Sequence, residues 1–229
     1  MSGEDAAYPK AATGKPVALE ARVESADGRR FSPSIERNKD AVVAVFEAEI
    51  AHDAFVLEIA SGTGEHGFHI CERLKQLSWT YSDIDGESRV SQASWRARAT
   101  HDRLDGPLEL NVTEPDWGRA LNGRYDAIFC ANMIHIAPFE AAVGLIRGAG
   151  ELLSTGGRLM LYGPFSRNGD IAPSNMRFSE DLKRRDSRWG VRDLDLDILP
   201  LANAAGLDLH KVIEMPANNL SVTFQRRPN

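Results

Sequence analysis

The run LEIASGTGEHG, residues 57–67, joins an apolar strand pattern to a helical one through three glycines. Read literally, Gly62, Gly64 and Gly67 form the G-x-G-x-x-G of a dinucleotide-binding turn, and an acidic residue, Asp83, follows at about the spacing that reaches a ribose. Two features oppose the dinucleotide reading. In such a fold the strand entering the glycines is apolar throughout; here it carries Glu58, and Ala60 stands before Ser61. A carboxylate at the end of a buried strand is costly unless a cationic or hydrogen-bonding group meets it. An ammonium or sulfonium group would supply that partner, whereas a pyrophosphate would repel it. A short-chain dehydrogenase would also need a Tyr followed four positions later by Lys, and none of Tyr8, Tyr81, Tyr125 or Tyr162 has one. A two-domain dehydrogenase would need more chain. The literal fingerprint is therefore read as accidental.

Working outward, Phe55 to Ala60 is a buried strand and the helix after it runs through Phe68, Cys71, Leu74 and Leu77. The unit repeats. Trp79 to Ile84 is a second strand, Ser88 to Arg98 a helix, Leu108 to Val112 a short third strand and Tyr125 to Ala131 a fourth. Phe139, Val143, Ile146, Ala149 and Leu153 mark a helix that Gly156-Gly157 closes before the strand Arg158 to Tyr162. Upstream, Val42, Val45, Phe46 and Ile50 share one helical stripe. Strands alternating with helices predict a parallel sheet covered on both faces.

The tail differs. Residues 163–192 read as irregular and polar, Asp193 as the N-cap of a helix ending at Gly206. Leu207 to Met215 and Leu220 to Arg226 are strands joined only by Pro216-Ala217-Asn218-Asn219, a link so short that it forces an antiparallel pair. Residues 1–34, rich in Gly, Ala, Pro and charge without a period, are expected to be a partly ordered leader to a single domain over 35–229.

Composition bounds the partners. A net charge of −6 opposes nucleic-acid binding, which depends on massed Lys and Arg. Lys183-Arg184-Arg185 with Arg188 is read as a solvated helix face. The longest apolar run, Ala41 to Phe46, is too short to span a bilayer, and the N-terminus has no apolar segment of the secretory kind. Cys71 and Cys130 sit among apolar neighbours, as reduced buried thiols would. A cytoplasmic protein, a monomer or homodimer, acting on a small molecule and touching neither membrane nor nucleic acid, is expected.

Glu58-x-x-x-Gly62-x-Gly64, with Asp83 ending the second strand, resembles the cofactor site of class I S-adenosylmethionine-dependent methyltransferases, and the terminal hairpin resembles their seven-stranded Rossmann-like α/β sheet of order 3-2-1-4-5-7-6. A second resemblance lies in ERNKD at 36–40, SDID at 82–85, NMIHIAP at 132–138, YGPF at 162–165, PSN at 173–175, WGVRDL at 189–194 and MPANN at 215–219. With the glycine run they are similar, in order, to the methyltransferase-like 26 family over roughly residues 33–226, which implies the class I fold and S-adenosylmethionine, with S-adenosylhomocysteine as product. It implies little about the acceptor.

On this reading Glu58, Ala60, Ser61, Gly62, Thr63, Gly64 and His66 surround the cofactor's amino-acid end, Asp83 and Ile84 its ribose, and Asn132 and Met133 line its other side. Arg37 and Asn38 could reach the cofactor carboxylate. Asn111 and Val112 fall near adenine; the family carries Asp where this chain has Asn111, and an amide still donates and accepts there. His135 or Asp193 is the candidate base, and Arg192 an anchor for a carboxylate substrate. Tyr162, Asn168, Asn175, Trp189, Asn218 and Asn219 are candidate substrate walls. A metal is not expected: His66 and His69 share a face, but Cys71 points elsewhere, and Asp193-x-Asp195-x-Asp197 has Ile198 where a calcium loop needs Gly. A non-catalytic cofactor-binding scaffold and a protein or RNA methyltransferase are the alternatives.

Overall fold

The computed structural model describes residues 22–121 and 125–228. Its main sheet contains β1 (Phe55–Ile59), β2 (Ser78–Asp83), β3 (Leu104–Glu109), β4 (Tyr125–Ala131), β5 (Leu153–Ser166), β6 (Leu207–Met215) and β7 (Asn219–Arg226). Their spatial order is 3-2-1-4-5-7-6. β1 pairs in parallel with β2 and β4, β2 with β3, and β4 with β5. β7 runs antiparallel to both β5 and β6, so the expected class I order with its terminal hairpin is the one found. A short strand, Arg192–Asp193, adds in parallel to the tip of β5.

The helices are α1 (Pro33–Glu49), α2 (Glu65–Arg73), α3 (Gly86–Arg98), α4 (Trp117–Ala120), α5 (Phe139–Leu152), α6 (Pro173–Arg185) and α7 (Leu199–Ala204). Alternation along the strands builds two separate cores. Leu57, Ile59, Ile128, Cys130, Leu159 and Leu161 pack with Ala142, Leu145, Ile146 and Ala149 of α5. Val56, Ala127, Phe129 and Met160 face the other way, onto Val42, Val45 and Phe46 of α1 and Ile70 and Cys71 of α2. Cys71 and Cys130 are buried and unpaired. Among the described residues no helix is long and apolar enough to cross a membrane.

Two expectations are corrected. The third strand is Leu104–Glu109 rather than 108–112. The strand contains Gly106-Pro107: β3 is the sheet's edge and its register with β2 shifts there, which is where a strand tolerates proline. Residues 163–192 are not irregular throughout: β5 continues to Ser166, and α6 fills Pro173–Arg185. Only Asn175, Ser179 and Leu182 of α6 are buried, so the helix has no apolar stripe to announce it. Of the expected leader, residues 1–21 lie outside the described residues. Residues 22–32 carry a two-stranded ribbon, Val23–Glu24 against Arg30–Phe31, and α1 begins at Pro33, where a missing N–H costs nothing.

Candidate functional site

In a parallel sheet the loops at the carboxyl edge hold the chemistry. Here that edge gathers the glycine turn, Asp83, the β4 end at Asn132, and the β6–β7 turn. Backbone strain concentrates along it: Ala60 (φ 55°), Asn132 (φ 61°), Asn168 (φ 51°), Ala217 (φ 60°) and Asn218 (φ 57°) are left-handed without being glycine. Such residues collect where a fold over-determines a site.

The turn itself is backbone. Gly62 (φ 57°) and Gly64 (φ 88°) take conformations natural to glycine. Gly67 serves packing: a Cβ there would stand 2.3 Å from Trp79 Nε1 and 2.6 Å from Tyr81 Cε1. The third glycine thus lets helix close on strand, as it does in dinucleotide folds. The fingerprint reflects a shared backbone requirement, not an accident. Ser61 and Thr63 turn inward. Ser61 Oγ donates to Glu58 O (3.2 Å) and accepts from Ser82 N, while the Thr63 hydroxyl meets Glu65 Oε2 (3.1 Å).

Glu58 finds its partner inside the protein. Its carboxyl is 2% exposed and accepts from Trp79 Nε1 at 3.0 Å. Burial pushes it up to about 8, so it is neutral near pH 7. No cationic ligand is needed to explain it.

Asp83 is tied down and keeps acceptor capacity. Gly62 N donates to its Oδ2 (2.9 Å) and Asp85 N to its Oδ1 (2.9 Å), and each carboxylate oxygen has two lone pairs. Burial raises its pKa against these backbone bonds. Beside it Ile84 is 56% exposed, a large apolar side chain facing outward. Gln92, fully buried on α3, donates to Gly62 O (3.0 Å) and stands 3.4 Å from Asp83 Oδ2. Sequence reading missed it, although the buried face of α3, Ser88, Ser91, Gln92 and Trp95, repeats at helical spacing. That stripe is polar, which is the signal available.

Asn111 caps a turn: its Oδ1 accepts from Thr113 N (3.0 Å) and Thr113 Oγ1 (2.8 Å). Only its Nδ2, shared with Glu114 at 3.3 Å, remains for a ligand. Val112 points into the core, and Met133 packs against that core from its rim.

A second cluster assembles from four segments. His66 Nε2 meets Asn38 Oδ1 at 2.9 Å, and the Tyr162 hydroxyl is hydrogen-bonded to the side chains of Asn38 and Asn219. Burial holds His66 down at about 4, so the neutral ring donates and Asn38 Nδ2 is left to donate to Tyr162. Asn219 Nδ2 also donates to Pro216 O (3.0 Å). Burial raises the Tyr162 phenol, with Arg37 acting in the opposite sense. Alongside, Asn175 Nδ2 donates to Asn218 O (2.8 Å) and Asn218 Nδ2 to Ser174 Oγ (2.9 Å), so the start of α6 is tied to the hairpin turn.

The candidate bases do not survive. His135 exposes nothing to solvent, and its Nδ1 accepts from Arg192 N (3.3 Å), which puts the proton on Nε2. Burial, then the Arg192 charge, hold it at about 3. Asp193 is the expected helix cap, accepting from Asp195 N and Leu196 N (both 2.9 Å), and also from Gly169 N (2.8 Å), Asn168 N (3.2 Å) and Ser166 Oγ (2.9 Å). Burial works to raise it, but these bonds outweigh burial and lower its pKa. A carboxylate so occupied is a poor base. Arg192 is no free anchor: its guanidinium donates to the carbonyls of Ile134, Ala137 and Arg188 and lies 5.4 Å from the Phe139 ring. The exposed Asn168 serves Asp193 through its backbone. Trp189 is half-buried, its Nε1 without a protein partner.

Among the described residues no group of three or more His, Cys, Asp or Glu could hold a metal. Surface hollows of about 260 Å³ (Arg29, Phe68, Glu72, Arg98, Thr100) and about 290 Å³ (Thr155 and Gly156 with the β7 end) lie away from the residues above.

Solved structures share this fold. An S-adenosylmethionine-dependent methyltransferase, SibL, in its apo form superposes with a TM-score of 0.68 at 14% identity, over 85% of this chain and 56% of its own. An O-methyltransferase family protein from Burkholderia thailandensis gives 0.66 at 18%, over 83% and 59%. Human N-acetylserotonin methyltransferase in complex with S-adenosylmethionine gives 0.67 at 14%, over 85% and 53%. The chain thus spans little more than half the length of these proteins. By sequence, residues 29–226 match the family described as a protein of unknown function, DUF938, and the chain belongs to that family.

Proposed function

We propose that this chain binds S-adenosylmethionine and transfers its methyl group to oxygen or nitrogen of a small molecule, as its resemblance to the methyltransferase-like 26 family implies. The observation that carries the reading is Asp83, fixed by Gly62 N and Asp85 N at the edge beside an open glycine turn and the exposed Ile84. A ribose fits this carboxylate, an adenine face fits Ile84, and Gly62 brings no side chain towards an approaching ligand, whereas the Cβ place of Gly64 is filled by Gln92 and Trp95 of α3. Arg37 and Asn38 stand across the edge for the amino-acid end. The bound cofactor would supply a methyl carbon already activated by its sulfonium.

What the chain must add is alignment, which can contribute about 7–11 kcal/mol. The amides of Asn38, Asn175, Asn218 and Asn219, with the Tyr162 hydroxyl, supply orienting donors and acceptors. With His135 buried and Asp193 engaged, neither takes a proton from the acceptor. An acceptor whose lone pair is already available near neutral pH, such as a carboxylate or an unprotonated amine, suits this site better than an alcohol. The net charge of −6 favours a small molecule over RNA.

The scaffold reading keeps one observation on its side: many polar groups of residues 162–219 are engaged in internal ties. Conversion of S-adenosylmethionine to S-adenosylhomocysteine in the presence of carboxylate and amine acceptors decides between them. Calorimetry should show S-adenosylhomocysteine binding and no NAD binding; the reverse would sink the reading. Asp83→Ala should weaken that binding roughly 10- to 100-fold, the loss of charge-assisted bonds to ribose. It should also destabilise the fold by about 1–3 kcal/mol, because Gly62 N and Asp85 N lose their acceptor.

A further inference from the structure

The ribbon before α1 ends on the glycine turn. It is fastened along α3 and the start of α2: Arg30 N donates to Ser91 Oγ (2.8 Å), Trp95 Nε1 to Arg30 O (3.2 Å) and Ser32 N to Glu65 Oε2 (2.6 Å). Arg30 also pairs with Glu24 and Glu87, both at 3.1 Å, and the Arg29 guanidinium lies 4.7 Å from the Trp95 ring. So anchored, the ribbon delivers Arg22 to the carboxyl edge. One Arg22 Nη lies 3.8 Å from the place a Gly62 Cβ would occupy, the open face of the turn. Its charge also favours the ionised form of Asp83.

A ribose hydroxyl donates one proton and accepts through its oxygen. Asp83 as a carboxylate only accepts, so it satisfies the protons and leaves the hydroxyl oxygens in want of a donor. Three adjacent protein donors are engaged: Gly62 N by Asp83, Gly64 N by Ser61 O (3.0 Å), and the Gln92 amide by Gly62 O. A guanidinium, with five N–H groups in a planar fork, is the complementary partner.

We propose that Arg22 is a ligand-contacting residue, a roof over the ribose that donates to the hydroxyl oxygens whose protons Asp83 accepts. The inference rests on the cofactor reading above. It assigns the ribbon a binding role and makes the site two-sided, with Asp83 below and Arg22 above. It also separates recognition of the nucleoside half from recognition of the amino-acid half, which falls to α1.

The test is calorimetry on the full chain with S-adenosylhomocysteine and, by competition, with adenosine. Wild-type protein that binds no S-adenosylhomocysteine removes the cofactor reading itself, before any variant is compared. Given wild-type binding, Arg22→Ala should weaken both ligands by the same factor, roughly 10-fold, with the ligand-free thermal midpoint unchanged. Arg22→Lys, which keeps the charge and loses the fork, should fall between. Unchanged or tighter binding in Arg22→Ala would overturn the proposal by making the side chain a bystander or a plug. A loss confined to S-adenosylhomocysteine would overturn it by placing the guanidinium on the amino-acid carboxylate. A marked fall in the ligand-free midpoint would make Arg22 a structural tie.

Discussion

At the β1–β2 end of the carboxyl edge the surface is backbone: a glycine turn, with Ser61 and Thr63 turned inward and Asp83 held by two main-chain N–H groups. At the β5–β7 end it is side-chain amide, with Asn38 and Asn219 beside Tyr162 and Asn175 and Asn218 tying the start of α6 to the hairpin turn. The first end is continuous in sequence apart from Asp83. The second draws on α1, β5, α6 and the hairpin turn. A backbone site depends on what packs beneath it, whereas an amide wall depends on every partner being present, since each unsatisfied buried amide is costly.

That contrast can be broken most forcefully through pH. Glu58 lies under the glycine turn with a pKa raised by burial to about 8, against an ordinary 4.5. Below about pH 4.5 both folded and unfolded chains hold its proton; between there and about pH 8 only the folded chain does. Stability contributed by this group is therefore present in acid and lost as pH rises to 8, at up to about 1.4 kcal/mol per pH unit. Urea denaturation across pH 5–8 should show the slope in wild type and a flatter profile in Glu58→Gln. Matching slopes would mean that Glu58 is ionised in the folded state.

Next in size is Gly67→Ala. The added methyl meets the Trp79 and Tyr81 rings, which also carry the bonds to Glu58 and to Gly64 O (2.9 Å). We expect a loss of about 3 kcal/mol in denaturant titration. A loss below about 0.5 kcal/mol, the scale of a neutral surface change, would show that the rings yield and that the turn does not depend on this packing.

Tyr162→Phe probes the other end. It strips Asn38 and Asn219 of their shared partner and should cost about 1–2 kcal/mol by thermal unfolding. Affinity for adenosine should barely change, because the glycine-turn end with Asp83 is untouched. An equal loss of affinity would erase the distinction between the two ends.

The smallest effect belongs to Asn218→Gly. Asn218 is left-handed and exposed, glycine accepts that backbone, and only the bond to Ser174 Oγ is lost. The change should be under about 0.5 kcal/mol. A loss of methyl transfer with cofactor affinity and stability intact would mark the Asn218 amide as a substrate contact.

Much of this was legible in the chain. Short apolar runs bounded by turn residues placed β1, β2, β4 and the hairpin within a residue or two, because a strand covered on both faces needs apolar side chains on each. The polar helix α6 was not, since its buried face is Asn175, Ser179 and Leu182 and carries no hydrophobic period. The site divided the same way. Gly62, Gly64 and Asp83 announce themselves by spacing, while Gln92 and Arg22 do not, lying far from the turn in sequence and meeting it only in space.

By itself the sequence determined the alternation of strands with helices, the terminal hairpin, the glycine turn and the acidic residue beside it, because those follow from local periodicity, short links and backbone angles that few residues adopt. Only the tertiary structure decided the roles of the polar side chains. Glu58 proved to be a neutral partner of Trp79, His135 a buried clamp, Asp193 a cap and Arg192 a strut for carbonyls. The physical reason is that an ionisable group has no fixed function: burial and the donors around it set its charge and its free lone pairs, and both are fixed by residues far away along the chain.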